Sequence, residues 1–274
     1  MTDVRQVNDY LNELYPLAAA EEWDYPGLVL GDPKWLVKKI LLAVDPTYEI
    51  VQDAVRTDID FLFTHHPLFF RGVHQLSGLD FRGALVNELI SQRIALYCGH
   101  TNADAAPNGS ADYFAQKLDL LETVPLFENL GRVGMLPQSI SLRELAENIQ
   151  SFVPATVGGI RVAGSLDAQV SKVALLPGSG DGLFDAVRAT QADVYITSDL
   201  RHHPVLDLRQ QAEFEQRLFK TDLSRPFLID VPHYAAEFVF LESLQSSLSE
   251  KFPDLSIVTS TINTDPFTAR FASN

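Results

Sequence analysis

The feature that most restricts the fold of this chain is a recurring short run of continuous apolar residues. Such runs occur at 38–45, 60–64, 94–98, 172–178, 193–197 and 225–230, and a weaker one at 160–165 reads as an edge strand. Short continuous apolar runs are typical of strands buried on both faces, which occur mainly in parallel sheets covered by helices. The pattern therefore predicts an α/β fold with largely parallel sheets.

Segments with helical patterns separate these strands. They lie at 3–15, 17–22, 48–57, 81–93, 111–120, 142–153, 182–191 and about 233–251, and 204–214 is a further helical segment. Ser110 follows the turn signal Asn108-Gly109 and is the predicted N-cap of the helix at 111–120. Alternation of strand and helix predicts βαβ units.

A weak internal repeat connects the two halves of the chain. The segment 53–67 resembles 185–204, because both read Asp-Ala-Val-Arg, then a strand that opens with Asp and closes with Thr, then a polar cluster with His-His-Pro. The match needs two small insertions, and chance similarity is the alternative interpretation. We favour duplication, since the surrounding periodicity also matches, and expect two similar halves with a cleft between them.

Composition limits the classes of function. The 274 residues carry a formal net charge of −15, which argues against non-specific nucleic-acid binding and against an anionic membrane surface. No apolar run reaches the roughly 18–20 residues that a membrane span needs, and the N-terminus lacks a secretory h-region. Cys98 is the single cysteine, so no intrachain disulfide is expected. Together these observations predict a cytoplasmic protein, and a small anionic ligand stays compatible with them.

The histidines are concentrated after the predicted strands. Six of the seven histidines follow a buried strand directly or within a few residues, and only His74 does not. The resulting polar clusters are His65 with His66, His100 with Asn102 and Asp104, Asp199 with His202 and His203, and His233 with Glu237. Ligands of parallel α/β sheets collect beyond the carboxyl ends of the strands, so these clusters are candidate site residues.

Five of these residues form a candidate metal-ligand set. His233 and Glu237 are four residues apart, on one face of a helix, and His65, His66 and Asp104 complete three imidazoles and two carboxylates. That set suits two divalent ions that share a bridging carboxylate and a bridging water. Each signal alone has a structural alternative: a structural or surface His-His pair, a hydrogen bond along a helix face, or a turn aspartate.

Other residues near the strand ends have two interpretations each. His100 is either a catalytic general acid or base, or a partner that orients a metal ligand. Asp199, His202 and His203 either line the cleft or cap the following helix. The glycine-rich turn at 177–182 is a tight βα turn or, with a weaker signal, a phosphate cradle. Trp23, Asp24 and Gly27 either edge the site or belong to a packed loop.

Several spaced motifs, in this order, resemble a known family. They are AEEWDYPGLVLGD at 20–32, THHP at 64–67, GHTNADAAPNG at 99–109, TSDLRHH at 197–203 and HYAAE at 233–237. Over essentially its full length the chain resembles the short form of the Nif-three-like family, without the middle insert domain, whose members are commonly named GTP cyclohydrolase 1 type 2 homologs. It departs from the usual family pattern at Tyr25-Pro26, after Trp-Asp, and at Ser198, where glycine is usual.

The resemblance has structural implications. It implies two intertwined, topologically related α/β domains, a toroidal homohexamer, and dinuclear metal sites that face the central cavity. Carried over by position, the metal ligands are His65, His66, Asp104, His233 and Glu237. We expect residues 1–127 with 225–274 to form the first domain, which carries the ligands, and 128–224 to form the second, with the metal site in the cleft between them.

The leading functional hypothesis is a dinuclear metal-dependent hydrolase that acts on a phosphoester- or nucleotide-like substrate. Two divalent transition ions per subunit are expected, and imidazole with carboxylate suits zinc, iron, manganese, cobalt or nickel. One alternative is a non-enzymatic, hexameric metal-binding or regulatory scaffold. Another is the cyclohydrolase activity that the family name indicates.

Overall fold

The computed structural model describes residues 1–271 and divides the chain into two compact units. The first unit comprises Met1–Gly109 with Phe240–Thr264, and the second comprises Ser110–Val239 with the segment that starts at Asp265. Within the described range, none of the helices is both long enough and apolar enough to cross a membrane.

The elements follow one another in an alternating order. In chain order they are β1 (Thr2–Asp3), α1 (Val4–Leu14), β2 (Gly27–Leu30), β3 (Leu36–Val37), β4 (Lys39–Ala43), α2 (Tyr48–Arg56), β5 (Phe61–Thr64), α3 (Phe81–Ser91), β6 (Ala95–Cys98), α4 (Thr101–Ala105), α5 (Ser110–Lys117), β7 (Leu121–Phe127), β8 (Leu130–Ser141), α6 (Leu142–Phe152), β9 (Arg161–Ala163), β10 (Gln169–Ser179), α7 (Phe184–Thr190), β11 (Val194–Ser198), α8 (His202–Phe219), β12 (Phe227–Asp230), α9 (His233–Phe238), α10 (Leu241–Lys251) and β13 (Ser256–Thr259), with 3-10 turns at Leu17–Ala19 and Asp181–Leu183.

The main sheet of the first unit has the strand order β13-β4-β5-β6-β2 within residues 1–271. Its first four strands run parallel, and β2 pairs with β6 in the antiparallel sense. Local sequence sets the helix starts, since Thr47 and Asp80 accept hydrogen bonds from the first turns of α2 and α3. Apolar side chains of β4, β5, β6, α2 and α3 form the core, as the continuous apolar runs predict.

The second unit has a mixed sheet. Over the described residues its strand order is β7-β8-β10-β11-β12-β9. The strands β10, β11 and β12 are parallel, whereas the outer pairings are antiparallel. The predicted α/β class is confirmed, and the prediction of largely parallel sheets holds for the first unit only. The strand predicted at 160–165 is β9, at the edge of its sheet.

The two units share a hydrogen-bonded strand start. Asp60, just before β5, and Asp193, just before β11, each accept two backbone N–H groups with one carboxylate oxygen, at 2.8–2.9 Å. The donors are Lys38 and Lys39 in the first unit, and Ser171 and Lys172 in the second. The predicted repeat therefore corresponds to the same βαβαβ path with the same hydrogen-bond pattern, β4 to β6 in one unit and β10 to β12 in the other.

Two predicted elements differ from the structure. The helix expected at 233–251 is interrupted between α9 and α10, where Phe240 is buried against Phe63 and Tyr15. The segment at 17–22 forms only a 3-10 turn. The region around the predicted domain boundary at 127/128 is the antiparallel pair β7–β8, whose first strand is largely exposed and so lacks a continuous apolar run.

The unit boundaries also lie elsewhere than the predicted ones. The prediction assigned 225–274 to the first domain, but β12 is hydrogen-bonded between β11 and β9, so β12 and α9 lie in the second unit. Similarly, α5 and β7 fall in the second unit rather than the first. His233 and Glu237 are therefore carried by a different unit from His65, His66 and Asp104.

Candidate metal centre

The first unit presents two imidazoles at the end of β5. The backbone N–H groups of His65 and His66 donate to the carbonyls of Ala43 and Val44, which extends the parallel ladder past the strand. The chain thereby delivers both side chains to the carboxyl end of the sheet, as the position of the pair after an apolar strand predicts.

Each of these rings is held by its Nδ1 atom. His65 Nδ1 lies 2.8 Å from the Gly99 carbonyl oxygen, and His66 Nδ1 lies 2.7 Å from Asp45 Oδ1. A carbonyl or an ionised carboxylate can only accept, so the proton resides on Nδ1 and the lone pair on Nε2. An imidazole oriented in this way is the form that ligates metals.

Asp45 was not among the predicted site residues. It lies two residues after the end of β4, so the rule that identified the histidines, a polar residue just after a buried strand, also applies to it. Its second carboxylate oxygen accepts a hydrogen bond from the Thr264 hydroxyl, which fixes the carboxylate in place.

Asp104 adds a carboxylate in the same unit. It lies on α4, which begins soon after β6, and its Oδ1 atom is 3.8 Å from His65 Nε2. That separation is too long for a hydrogen bond. The sequence correctly placed Asp104 after a strand, and the structure brings it near His65.

His100 lies beside the histidine pair. Its ring centroid is 5.4 Å from that of His65 and 5.7 Å from that of His66. Its Nδ1 atom donates to Asp24 Oδ2 at 3.0 Å, which leaves Nε2 as the proton-accepting atom of the neutral ring. The hydrogen bond to Asp24 thus fixes the orientation of the His100 ring.

Asp24 belongs to the loop that precedes β2. Its carboxylate also accepts from the backbone N–H and the hydroxyl of Thr101. Burial by itself raises the pKa of Asp24, but the hydrogen bonds from His100 and Thr101 outweigh it and lower that pKa to about 2. The sequence offered two interpretations of Asp24, the edge of the site or a packed loop. In the structure Asp24 is a buried loop residue whose carboxylate orients His100.

The second unit presents a His-Glu pair on α9. His233 Nε2 lies 2.9 Å from Glu237 Oε1, and His233 Nδ1 lies 2.7 Å from Asp199 Oδ2. Both ring nitrogens thus face carboxylate oxygens, which a neutral imidazole with one N–H cannot satisfy.

Gly178 makes room for this pair. Its φ of +90° is a conformation that side chains disfavour, and a Cβ atom there would lie 2.6 Å from Glu237 Oε1. The sequence suggested a tight turn or a phosphate cradle at 177–182. The structure places Gly178 in β10, where the glycine accommodates the Glu237 carboxylate.

The other predicted residues have different environments. His202 and His203 are exposed in the first turn of α8, and their rings contact each other at 5.1 Å. Asp199 was predicted with them, but its carboxylate holds His233 instead. Cys98 is buried, donates to the His65 carbonyl, and has a thiol pKa raised chiefly by burial, so it is a structural residue.

The donor types in each unit suit a transition-metal ion. His65 and His66 supply two imidazoles in the first unit, and His233 and Glu237 supply an imidazole and a carboxylate in the second. His65, His66 and His233 each have Nδ1 against an oxygen atom, a feature that is common among metal-binding histidines.

The fold and site define a class: an α/β protein with imidazoles and carboxylates at the carboxyl ends of its buried strands. The chain belongs to the Duf34/NIF3 (NGG1p interacting factor 3) family, whose model matches residues 2–266. The resemblance drawn from the spaced motifs is thereby confirmed.

Individual relatives match over nearly their whole length. A Streptomyces coelicolor protein named GTP cyclohydrolase 1 type 2 homolog is 40% identical, and the match covers 100% of this chain and 96% of the relative. A Schizosaccharomyces pombe protein named Protein NIF3 homolog is 27% identical over 94% and 95% of the two chains. The crystal structure of a Bacillus cereus protein related to NIF3 superposes with a TM-score of 0.84 at 22% identity, covering 98% of this chain and 99% of that one, which shows a shared fold.

Proposed function

We propose that this protein is a dinuclear metal-dependent hydrolase that acts on a phosphoester- or nucleotide-like substrate. The ligands of the two divalent transition ions are His65, His66, Asp104, His233 and Glu237. The single observation that carries the proposal is the common orientation of the three histidines, each with its Nδ1 atom within hydrogen-bond distance of an oxygen atom. Outer partners that fix a ring in this way are a regular feature of metal-binding histidines.

The chain's own residues divide the chemical tasks. When bound, a pair of divalent ions lowers the pKa of water toward about 7 and polarises an anionic oxygen of the substrate. His100 accepts or delivers a proton at Nε2, while Asp24 holds its Nδ1 proton. Asp45, Asp199 and the Gly99 carbonyl keep the ligand rings in place.

Metal content tests the ligand assignment. The wild-type protein, purified without chelator or added metal, should contain close to two transition ions per chain. His65→Ala and Glu237→Ala should each lose most of this content. His74→Ala is the matched control, since His74 is exposed and outside the clusters, and should keep it. Absence of metal from the wild type, even after reconstitution, would refute the proposal.

Turnover tests the reaction. Phosphomonoesters, phosphodiesters and nucleotides should be screened with metal-loaded protein, and His100→Gln should lower kcat by about 10²–10⁴ while leaving metal content unchanged. A metal-loaded protein with no turnover on any of these substrates would instead favour the non-enzymatic scaffold.

A second candidate is the cyclohydrolase reaction. It is favoured by the name of the Streptomyces coelicolor relative, and it too uses metal-activated water. Incubation of metal-loaded protein with GTP, followed by chromatography, separates the two reactions: the cyclohydrolase reaction would open the guanine ring, whereas hydrolysis at the phosphate chain would release phosphate or pyrophosphate and leave the ring intact.

We also propose that six copies assemble into a ring, as the family resemblance implies. Light scattering coupled to size-exclusion chromatography should then give six times the chain mass of 30.4 kDa. A monomer or dimer at micromolar concentration would contradict this assembly.

A further inference from the structure

Aromatic side chains surround His100 in the first unit. The Trp23 ring centroid lies 5.8 Å from the His100 ring at an interplanar angle of 76°, and the Phe70 ring lies at the same distance at 84°. Two aromatic rings thus stand nearly perpendicular to the imidazole assigned to proton transfer. No reaction step described above uses either ring.

Both rings are about half exposed. Trp23 is 53% exposed and Phe70 is 52% exposed, whereas the His100 side chain that both rings contact is buried. Exposed aromatic rings that are clustered at a polar site indicate a ligand contact more strongly than scattered ones do. Each ring therefore has surface available beside the site.

The Trp23 loop is anchored rather than loose. The backbone N–H of Glu21 donates a hydrogen bond to the Thr101 hydroxyl oxygen. The carboxylate of Asp24 accepts hydrogen bonds from the Thr101 hydroxyl and from His100. These bonds lie on either side of Trp23 in the sequence. The ring is thus presented in a defined position despite its exposure, and little ordering is required when a ligand binds.

We propose that Trp23 and Phe70 form a stacking subsite for a planar heteroaromatic ring, so that the substrate is a nucleotide rather than a phosphoester without a ring. Bases stack on exposed tryptophan and phenylalanine faces regardless of their hydrogen-bonding edges. The subsite would place the base beside His100 and the phosphate toward the metal ligands. The identification of the nucleotide as a substrate rests on the proposed hydrolase function. Binding of the base to Trp23 and Phe70 can be measured whether or not the protein turns the nucleotide over.

Tryptophan fluorescence measures this binding directly. The chain has two tryptophans, Trp23 and Trp35, so Trp35→Phe leaves Trp23 as the sole reporter. Titration of metal-loaded Trp35→Phe protein with adenosine monophosphate should quench its emission with a saturable curve, and ribose 5-phosphate should not. In Trp23→Phe protein, the emission of Trp35 should not change.

Alanine substitution then tests the second ring. In the Trp35→Phe background, Phe70→Ala should weaken nucleotide binding roughly tenfold. Phe81→Ala is the matched control, because Phe81 is also 52% exposed but packs beside Arg82 at the start of α3, and binding should be unchanged.

The outcomes are separable from those of the hydrolase proposal. Equal binding of adenosine monophosphate and ribose 5-phosphate, or equal nucleotide binding by the Phe70→Ala and Phe81→Ala proteins, would overturn the stacking subsite. Saturable quenching without turnover would support the subsite and count against the hydrolase.

Discussion

At the scale of single residues, the site depends on side chains that touch the ligands rather than on the ligands alone. Asp45, Asp24 and Asp199 each accept a hydrogen bond from the Nδ1 atom of one histidine. Each of the three carboxylates therefore favours the ring tautomer with the proton on Nδ1. Gly178 contributes by lacking a side chain beside Glu237.

Substitution of Gly178 tests this steric requirement. Gly178→Ala should reduce metal content strongly, because the new Cβ would lie 2.6 Å from Glu237 Oε1, and the positive φ should cost about 1–2 kcal/mol of unfolding free energy. Metal analysis and urea denaturation measure the two effects. Gly182→Ala, at a glycine with no neighbour within 4 Å of the new Cβ, should change neither quantity appreciably. Full metal content in Gly178→Ala would contradict the argument.

The low pKa of Asp24 predicts a pH dependence of stability. Because the folded-state pKa lies near 2, below the usual 3.8, the ionised carboxylate stabilises the folded protein by about 2 kcal/mol above pH 4. This contribution is lost as the pH falls from about 4 toward 2. The unfolding free energies of wild type and Asp24→Asn should therefore differ near pH 6 and converge near pH 2, as measured by urea denaturation. A difference that does not depend on pH would show that the charge is not responsible.

At the scale of elements, the two units use the same device to start a central strand. Asp60 and Asp193 each bind two adjacent backbone N–H groups of the neighbouring strand region. The lysine ammonium groups of Lys39 and Lys172 donate to the carbonyls that end α2 and α7, Thr57 and Thr190. In both units the strand that carries the lysine, β4 or β10, is thereby tied to the end of the helix that follows it.

Removal of these aspartates should destabilise each unit. Asp60→Ala and Asp193→Ala each leave backbone N–H groups without their acceptor, at an expected cost of roughly 1–3 kcal/mol of unfolding free energy. Hydrogen exchange should show the loss first at Lys39 for one variant and at Lys172 for the other. Asp254→Ala, at an exposed aspartate before β13, serves as the control and should change stability by less than about 0.5 kcal/mol. Equal stability of all three variants would exclude this role.

At the scale of the whole molecule, the proposed ligands come from distant parts of the sequence. His65 and His66 follow β5, whereas Glu237 lies on α9, and these belong to different compact units. A ligand that binds only the folded chain stabilises it in proportion to the logarithm of its concentration. Metal binding and folding are therefore expected to be coupled.

Metal removal tests this coupling. Metal at about one hundred times its Kd should contribute about 2.7 kcal/mol and raise the Tm by roughly 5–10 °C. Excess chelator should reverse the shift in differential scanning calorimetry. His65→Ala should show a Tm that responds to neither metal nor chelator, while His74→Ala should respond like wild type. A wild-type Tm that is insensitive to metal would contradict the coupling.

The sequence by itself determined the α/β class, most strand and helix positions, and the placement of the histidines after buried strands. These are local properties, since apolar runs, helical periodicity and strand-end polar residues are visible within a few positions. The hairpin β7–β8 escaped detection because its first strand is largely exposed and carries no continuous apolar signal.

Only the tertiary structure decided which carboxylate is hydrogen-bonded to which histidine. The pairings of Asp24 with His100 and of Asp45 with His66 join residues 76 and 21 positions apart, and no local pattern encodes them. The assignment of β12 and α9 to the second unit likewise follows from strand pairing. The sequence thus specified the candidate ligands, and the hydrogen bonds between distant segments specified which nitrogen each histidine presents.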